Sequence, residues 1–392
     1  MRKYLLAAVL LYLAFDAKCA DTLSVCSPSG KICVKIWLGK ALNYAIYENN
    51  KVILQPSVAD MLLTNNQSFS SDNSIKSHTS KSVTNEIISP VPEKRKRIKD
   101  DYNLLSIAFR KPFKVEFRVY DDGVAYRFST SFKDTITVQN EIASFHFAKG
   151  TAAYFPGIHK RDDADIFHTS FEEQFPLRKL DSIKNPELGY TPVLVVPPAN
   201  PKIGIIESDL EDYPGMFLSG TGSDVLEAKF APYPLEEKLT DGEYPQMLVT
   251  KRAGYIAKTK GTRTFPWRIL MIADEDRELP SNDMVYRLAS PSRIGDASWV
   301  HPGKGTDEWT INVNLFNVPF RSGVNTASYK YYIDFAKRFG FDRIMMDAGW
   351  SDNLDLFKIN PAINMDTIVA YAKEKNIKIS MWTLSYTLNR QL

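Results

Sequence analysis

Cysteine and histidine are scarce, with three and five residues in a chain of 392. No CxxC or HExxH spacing occurs. His78, His146, His159, His168 and His301 are scattered, so a zinc site has no ligand set to draw on. Net charge is nearly absent too: Lys plus Arg (49) against Asp plus Glu (46) leaves +3. Binding to a phosphate backbone needs a basic face, so nucleic acid is not expected as a partner. The phosphate-cradling patterns GxGxxG and GxxxxGK are missing, and Ser219–Asp224 reads as an ordinary turn cluster. After the first twenty residues, no apolar run approaches the roughly 18 residues a membrane helix needs. Aromatics, by contrast, reach 12%. That load suits large cores and surfaces on which sugars stack.

The chain opens with a basic Met1-Arg2-Lys3, an apolar stretch from Tyr4 to Phe15, and small residues at Ala17, Cys19 and Ala20. This pattern reads as a secretory signal peptide over residues 1–20, with the mature protein periplasmic or secreted. Asp16-Ala17-Lys18 is a poor lipobox, so Cys19 is a weak candidate for a lipid anchor. Cys26 and Cys33 flank the turn-forming Ser27-Pro28-Ser29-Gly30-Lys31. Facing one another across a hairpin in an oxidising compartment, they are expected to form a disulfide.

Residues 21–285 read as β-sheet. Phe113, Val115, Phe117 and Val119 alternate with polar residues, Tyr120–Gly123 makes a turn, and Val124, Tyr126 and Phe128 resume the alternation. Further runs at Ile32–Trp37, Leu104–Phe109, Thr191–Val196, Ile203–Glu207 and Trp267–Ala273 suggest a large antiparallel sandwich. The Ser-, Asn- and Thr-rich Asn65–Asn85 reads as an exposed loop carrying a formal sequon at Asn66, and Lys94–Arg97 as a solvated hairpin edge. After a linker over residues 286–305 the pattern changes. A strand is expected at Trp309–Phe316 and a helix capped by Asn325 or Thr326 and ending at Gly340. A strand at Phe341–Asp347, a helix from Met365 to Lys375 capped by Asn364, and a strand at Ile377–Trp382 follow. This βαβαβ order implies parallel strands with right-handed crossovers. A closed (β/α)8 barrel takes roughly 250 residues, so residues 306–392 amount at most to an incomplete one.

Three stretches carry a resemblance. They are Ile206-Glu207-Ser208-Asp209-Leu210-Glu211-Asp212-Tyr213-Pro214-Gly215-Met216; Gly323–Thr326 leading into Tyr329–Ala336; and Met346–Asp352 followed by Ile363–Met365 and Ile379–Trp382. With Asp121–Arg127 and His301-Pro302-Gly303-Lys304, they make the chain resemble family 97 glycoside hydrolases, bacterial α-glucosidases and α-galactosidases. The resemblance implies an N-terminal β-supersandwich, a linker and a catalytic (β/α)8 barrel acting on α-linked oligosaccharides. An α-glucosidase is the favoured reading. A retaining α-galactosidase and a non-catalytic carbohydrate-binding remnant are the alternatives. Ala348, where the family often has an acid, and Trp309-Thr310-Ile311-Asn312, where it often has a Trp-rich run, depart from the pattern.

Glycoside hydrolysis needs a protonated carboxylic acid and a second carboxylate as nucleophile or base. The resemblance places both beyond Leu392, so no catalytic residue is expected within this chain, and the 392 residues by themselves are expected to be inactive. Asp347, Trp350 and Trp382 at strand ends, with Lys304 in the linker, are the candidate substrate-binding residues; Asp352 and Asp355 lie in the loop that follows Asp347. The resemblance also assigns Glu207 to a calcium ion beside the active site. Calcium takes six to eight oxygens, so Glu207 would need further ligands from elsewhere. Asp209 and Asp212 read as turn formers.

Overall fold

The computed structural model describes residues 22–392 apart from 66, 70–73, 92, 93, 200 and 243. The expected leader, Cys19 and the sequon asparagine Asn66 lie outside the described residues.

Strict alternation makes the hairpin Phe113–Tyr120 with Gly123–Ser131 amphipathic. Phe113, Val115, Phe117 and Val119 are buried, while Lys114, Glu116 and Arg118 stand half-buried on the other face. Two antiparallel sheets are built on this principle. One runs, in spatial order, Leu23–Cys26, Ile32–Leu38, Leu42–Glu48, Lys51–Leu63, Ile136–His146, Val225–Phe230, Met216–Gly220 and Leu188–Tyr190. The other runs Leu177–Lys179, Ala152–Tyr154, Val193–Val196, Lys202–Ser208, Trp267–Ala273, Gly123–Ser131, Phe113–Tyr120, Tyr102–Phe109 and Ile75–Val83. Their facing side chains form one continuous apolar core, from Val34 and Ile46 through Phe117 and Tyr126 to Ile205 and Leu270. Each such large side chain stabilises the fold by about 1.5–3 kcal/mol through area removed from water. A short helix, Met284–Leu288, docks on the outer face of the second sheet against Tyr120, Trp267 and Ile269.

Two expectations about this region need correction. Ile75–Val83, read as part of an exposed loop, is a strand at the edge of the second sheet, paired with Tyr102–Phe109. Its side chains are nearly all exposed, so it lacks the apolar alternation that marks a strand with one buried face. The basic run is not simply solvated either. Lys94 and Arg95 pair with Asp283, and Arg97 pairs with Glu86 in the small hairpin Glu86–Ile88 with Arg97–Lys99.

Residues beyond 300 fold on a different pattern. Asn325 caps the helix Thr326–Phe339 by accepting from the Ser328 amide, and Gly340, at φ 69°, ends it in the left-handed conformation that glycine favours. Tyr329, Ile333 and Ala336 bury one face of this helix against Ile344 and Met346 of the strand Arg343–Met346. The helix Met365–Lys375, capped by Asn364, leads to the strand Lys378–Met381, which pairs parallel to Arg343–Met346. The expected strand at Trp309–Phe316 does not form. Trp309–Ile311 is a single 3-10 turn, and Asn312, Val313 and Asn317 take positive φ, which no extended ladder accommodates. The chain lies beside Arg343 earlier, at a parallel bridge from Gly305, with the Thr306 amide bonded to the Arg343 carbonyl.

Candidate active-site rim and the buried acids around it

In a parallel βα arrangement, functional groups gather at the carboxyl ends of strands. Met346 and Met381 are paired, so Asp347 and Trp382 follow at the same level. Ile344 and Met346 point into the helix layer, which leaves Asp347, two residues on from Met345, on the opposite face of the strand pair. Trp382 is held from both sides. Its amide donates to the Met346 carbonyl at 2.9 Å, and its carbonyl accepts from the Trp350 indole at 2.8 Å. Trp350 is buried, so its role here is to lock the two strand ends together, while the Trp382 ring is half-exposed. Asp347, Trp350 and Trp382 are thus brought together.

Lys304 is not. Its amide donates to Asp342, and its carbonyl accepts from the amides of Asp342 and Arg343, at the amino end of the strand and so opposite Asp347. Asp352 and Asp355 belong to the small hairpin Ser351–Asp352 with Asp355–Ile359, where Asp352 is bound to Lys358.

An acid not singled out in the sequence stands behind Asp347. Glu308 is 1% exposed, and its Oε1 accepts the Asp347 amide at 2.8 Å. A neighbouring strand would ordinarily offer a backbone carbonyl there; here a carboxylate does the work. Among the described residues, Glu308 Oε2 and the hydroxyls of Tyr329 and Tyr332 are buried without partners of ordinary hydrogen-bond geometry. Burial pushes the Glu308 carboxyl above the usual glutamate range and the Tyr332 phenol up to about 12. The signal that could have exposed Glu308 was its place directly before the broken strand at Trp309. The apolar character of Trp309–Phe316 predicts a strand there and so masks it.

Glu207 lies at the end of Lys202–Ser208, as expected, yet it is not a surface acid. Its Oε1 accepts the Met216 amide at 2.9 Å, and its Oε2 is bound to Arg268. Arg268, also 1% exposed, makes a second, two-pronged contact with buried Glu141, at 2.7 and 2.8 Å. Burial pushes the Glu207 carboxyl up despite the guanidinium beside it. Both Glu207 oxygens are engaged, and among the described residues no group of three or more His, Cys, Asp or Glu could hold a metal. The residues present therefore do not fit a calcium ion by themselves. Asp209 and Asp212 take positive φ in the turn that follows, as turn formers do. At the other end of the sandwich, Cys26 and Cys33 are register partners and are joined as a disulfide.

Comparison with known proteins gives one consistent picture. The family profile described as glycosyl-hydrolase 97 N-terminal matches residues 25–291, and that described as glycoside hydrolase 97 matches residues 308–392. A retaining alpha-galactosidase of Bacteroides thetaiotaomicron is 35% identical over 99% of this chain and 59% of its own length. A probable retaining alpha-galactosidase of Streptomyces bingchenggensis is 24% identical over 69% of this chain and 37% of its own. Among solved structures, a family 97 enzyme from Pseudoalteromonas sp. strain K8 in complex with panose superposes with a TM-score of 0.75. Its identity is 22%, over 91% of this chain and 53% of that one. A beta-arabinopyranosidase gives a TM-score of 0.72 at 19% identity, over 92% and 55%. These structural likenesses speak for the fold. The chain spans about six-tenths or less of the length of the relatives it matches.

Proposed function

Because the chain belongs to glycoside hydrolase family 97, we propose that it serves an exported enzyme hydrolysing α-glycosidic bonds of oligosaccharides. In this reading the parallel strands at Arg343–Met346 and Lys378–Met381 open a (β/α)8 barrel carried on the sandwich. The observation that carries the proposal is the shared rim: Asp347 and Trp382 level on one face at the carboxyl ends of paired parallel strands, tied by Trp350. A carboxylate and an aromatic face side by side suit a pyranose, one accepting from hydroxyls and the other stacking on C–H groups. Asp347 binds and orients the sugar. The reaction needs two opposed carboxylates, and Glu308, engaged with the Asp347 amide, is not placed to be the second. In this reading both come from other strands of the barrel. Export is supported by the leader pattern and by the Cys26–Cys33 bridge, which suits an oxidising compartment.

An α-glucoside is the first reading of the sugar, in keeping with the panose and acarbose complexes of the Pseudoalteromonas enzyme. An α-galactoside is the second, favoured by the name of the 35% identical relative. Assaying the full-length gene product on p-nitrophenyl α-glucoside and α-galactoside in parallel decides between them. Hydrolysis of neither contradicts the proposal.

A further inference from the structure

The sandwich reaches the rim at one aromatic contact. The strands Pro234–Leu239 and Met247–Arg252 form a hairpin outside the two main sheets, and its tip carries Tyr244. The Tyr244 ring lies 6.0 Å from the Trp382 ring, centroid to centroid, at 77°. This is an edge-to-face pair joining a loop of the first region to a strand end of the second. The Trp382 backbone is held on both sides, which fixes where the ring is rooted. Nor is the tip slack. The Thr240 amide bonds the Gln246 carbonyl, the Gln246 amide bonds Thr240 Oγ1, and the Gln246 side chain meets His168 Nε2 at 2.8 Å. A tethered loop thus holds a tyrosine that is 43% exposed against a half-exposed tryptophan. Burial in a dry interface would have covered both rings. Here Tyr244 is exposed and Trp382 is half-exposed.

We infer that Tyr244 and Trp382 form a sugar-stacking wall spanning the two regions, and that Tyr244 is a specificity-determining residue for the sugar on the leaving-group side of the bond. The inference rests on the glycosidase reading above and adds to it which residue senses chain length. Asp347 and Trp382 contact the sugar whose bond is cut, and Tyr244, projecting from outside the barrel strands, contacts the next one.

The test uses the full-length gene product and two substrates of the preferred sugar. One is the α-linked trisaccharide. The other is the glycosyl fluoride, whose leaving group has no ring to stack. Tyr244→Ala should raise KM for the trisaccharide about tenfold, with kcat within about twofold, and should leave the fluoride kinetics unchanged. Tyr244→Phe, which keeps the ring, should behave as wild type; it also guards against reading a folding defect as a contact. Equal losses on both substrates would reduce Tyr244 to a docking residue and overturn the inference, as would an unchanged KM for the trisaccharide. A wild-type protein inert to both substrates overturns the glycosidase reading itself, and the inference falls with it.

Discussion

The two regions of this molecule handle buried charge in opposite ways. In the sandwich, Arg268 is enclosed with Glu141 and Glu207, and its guanidinium is bonded to both carboxylates. The cluster is closed on itself and turned inward between strands. In the βα region, Glu308 is equally buried, but its bond of ordinary geometry goes to the amide of a rim residue. The first arrangement holds two strands and a turn in place. The second holds the strand-end residue Asp347 from behind. Buried acids are thus no guide to catalysis until their partners are known: a fully paired acid fixes structure, whereas a partly paired one beside a strand end fixes a site.

The sharpest way to break this contrast is to break the sandwich cluster. Arg268→Met removes the one cation between two buried carboxylates. It should cost about 3–5 kcal/mol, as removing one partner of a buried ion pair does. A urea midpoint unchanged from wild type would show that the cluster is not enclosed as described. Replacing Cys26 and Cys33 together by Ser should cost less, about 2–3 kcal/mol, because the bridge closes a loop of only 7 residues' separation. In the full-length gene product the double variant should keep its hydrolysis, since the bridge lies at the first hairpin, and a loss of activity would contradict that.

The rim acid should give a smaller and more selective effect. Glu308→Ala leaves the half-buried Asp347 amide without an acceptor, at about 1–3 kcal/mol. Glu308→Gln keeps an oxygen acceptor and should recover most of it. The pH dependence separates the two roles. The Glu308 pKa is raised on folding, so its favourable contribution is fully present below the unfolded value of 4.5 and is lost as pH rises through the folded value. The melting temperature of Glu308→Gln should therefore change less than that of wild type on going upward from pH 4.5. Parallel curves would mean that Glu308 is not shifted.

Much of this was legible beforehand, for physical reasons that can be named. The hairpin at Phe113–Ser131 and the helix caps at Asn325, Asn364 and Gly340 are local signals, and they appear where spacing and capping chemistry put them. The level placement of Asp347 and Trp382 followed from the βαβ order. Three features were hidden. Ile75–Val83 forms a strand only because a neighbouring edge is available, and its own side chains carry no pattern. The pairing of Glu207 with Arg268 is hidden because the two lie 61 residues apart in sequence. The Tyr244–Trp382 contact joins a loop to a strand end far along the chain, and nothing near either residue announces the other.

In the proposed reading the sandwich serves as scaffold while sugar is bound where its hairpin meets the strand ends. Deuterium exchange on the full-length gene product, with and without a sulfur-linked, non-hydrolysable disaccharide of the preferred sugar, tests it directly. Slowed exchange is expected at the hairpin tip around Tyr244–Gln246, at Asp347–Trp350 and at Trp382–Leu384. Lys202–Ser208 and Trp267–Ala273 should be unchanged. Slowing confined to the sandwich strands, with the two strand ends unaffected, would contradict it.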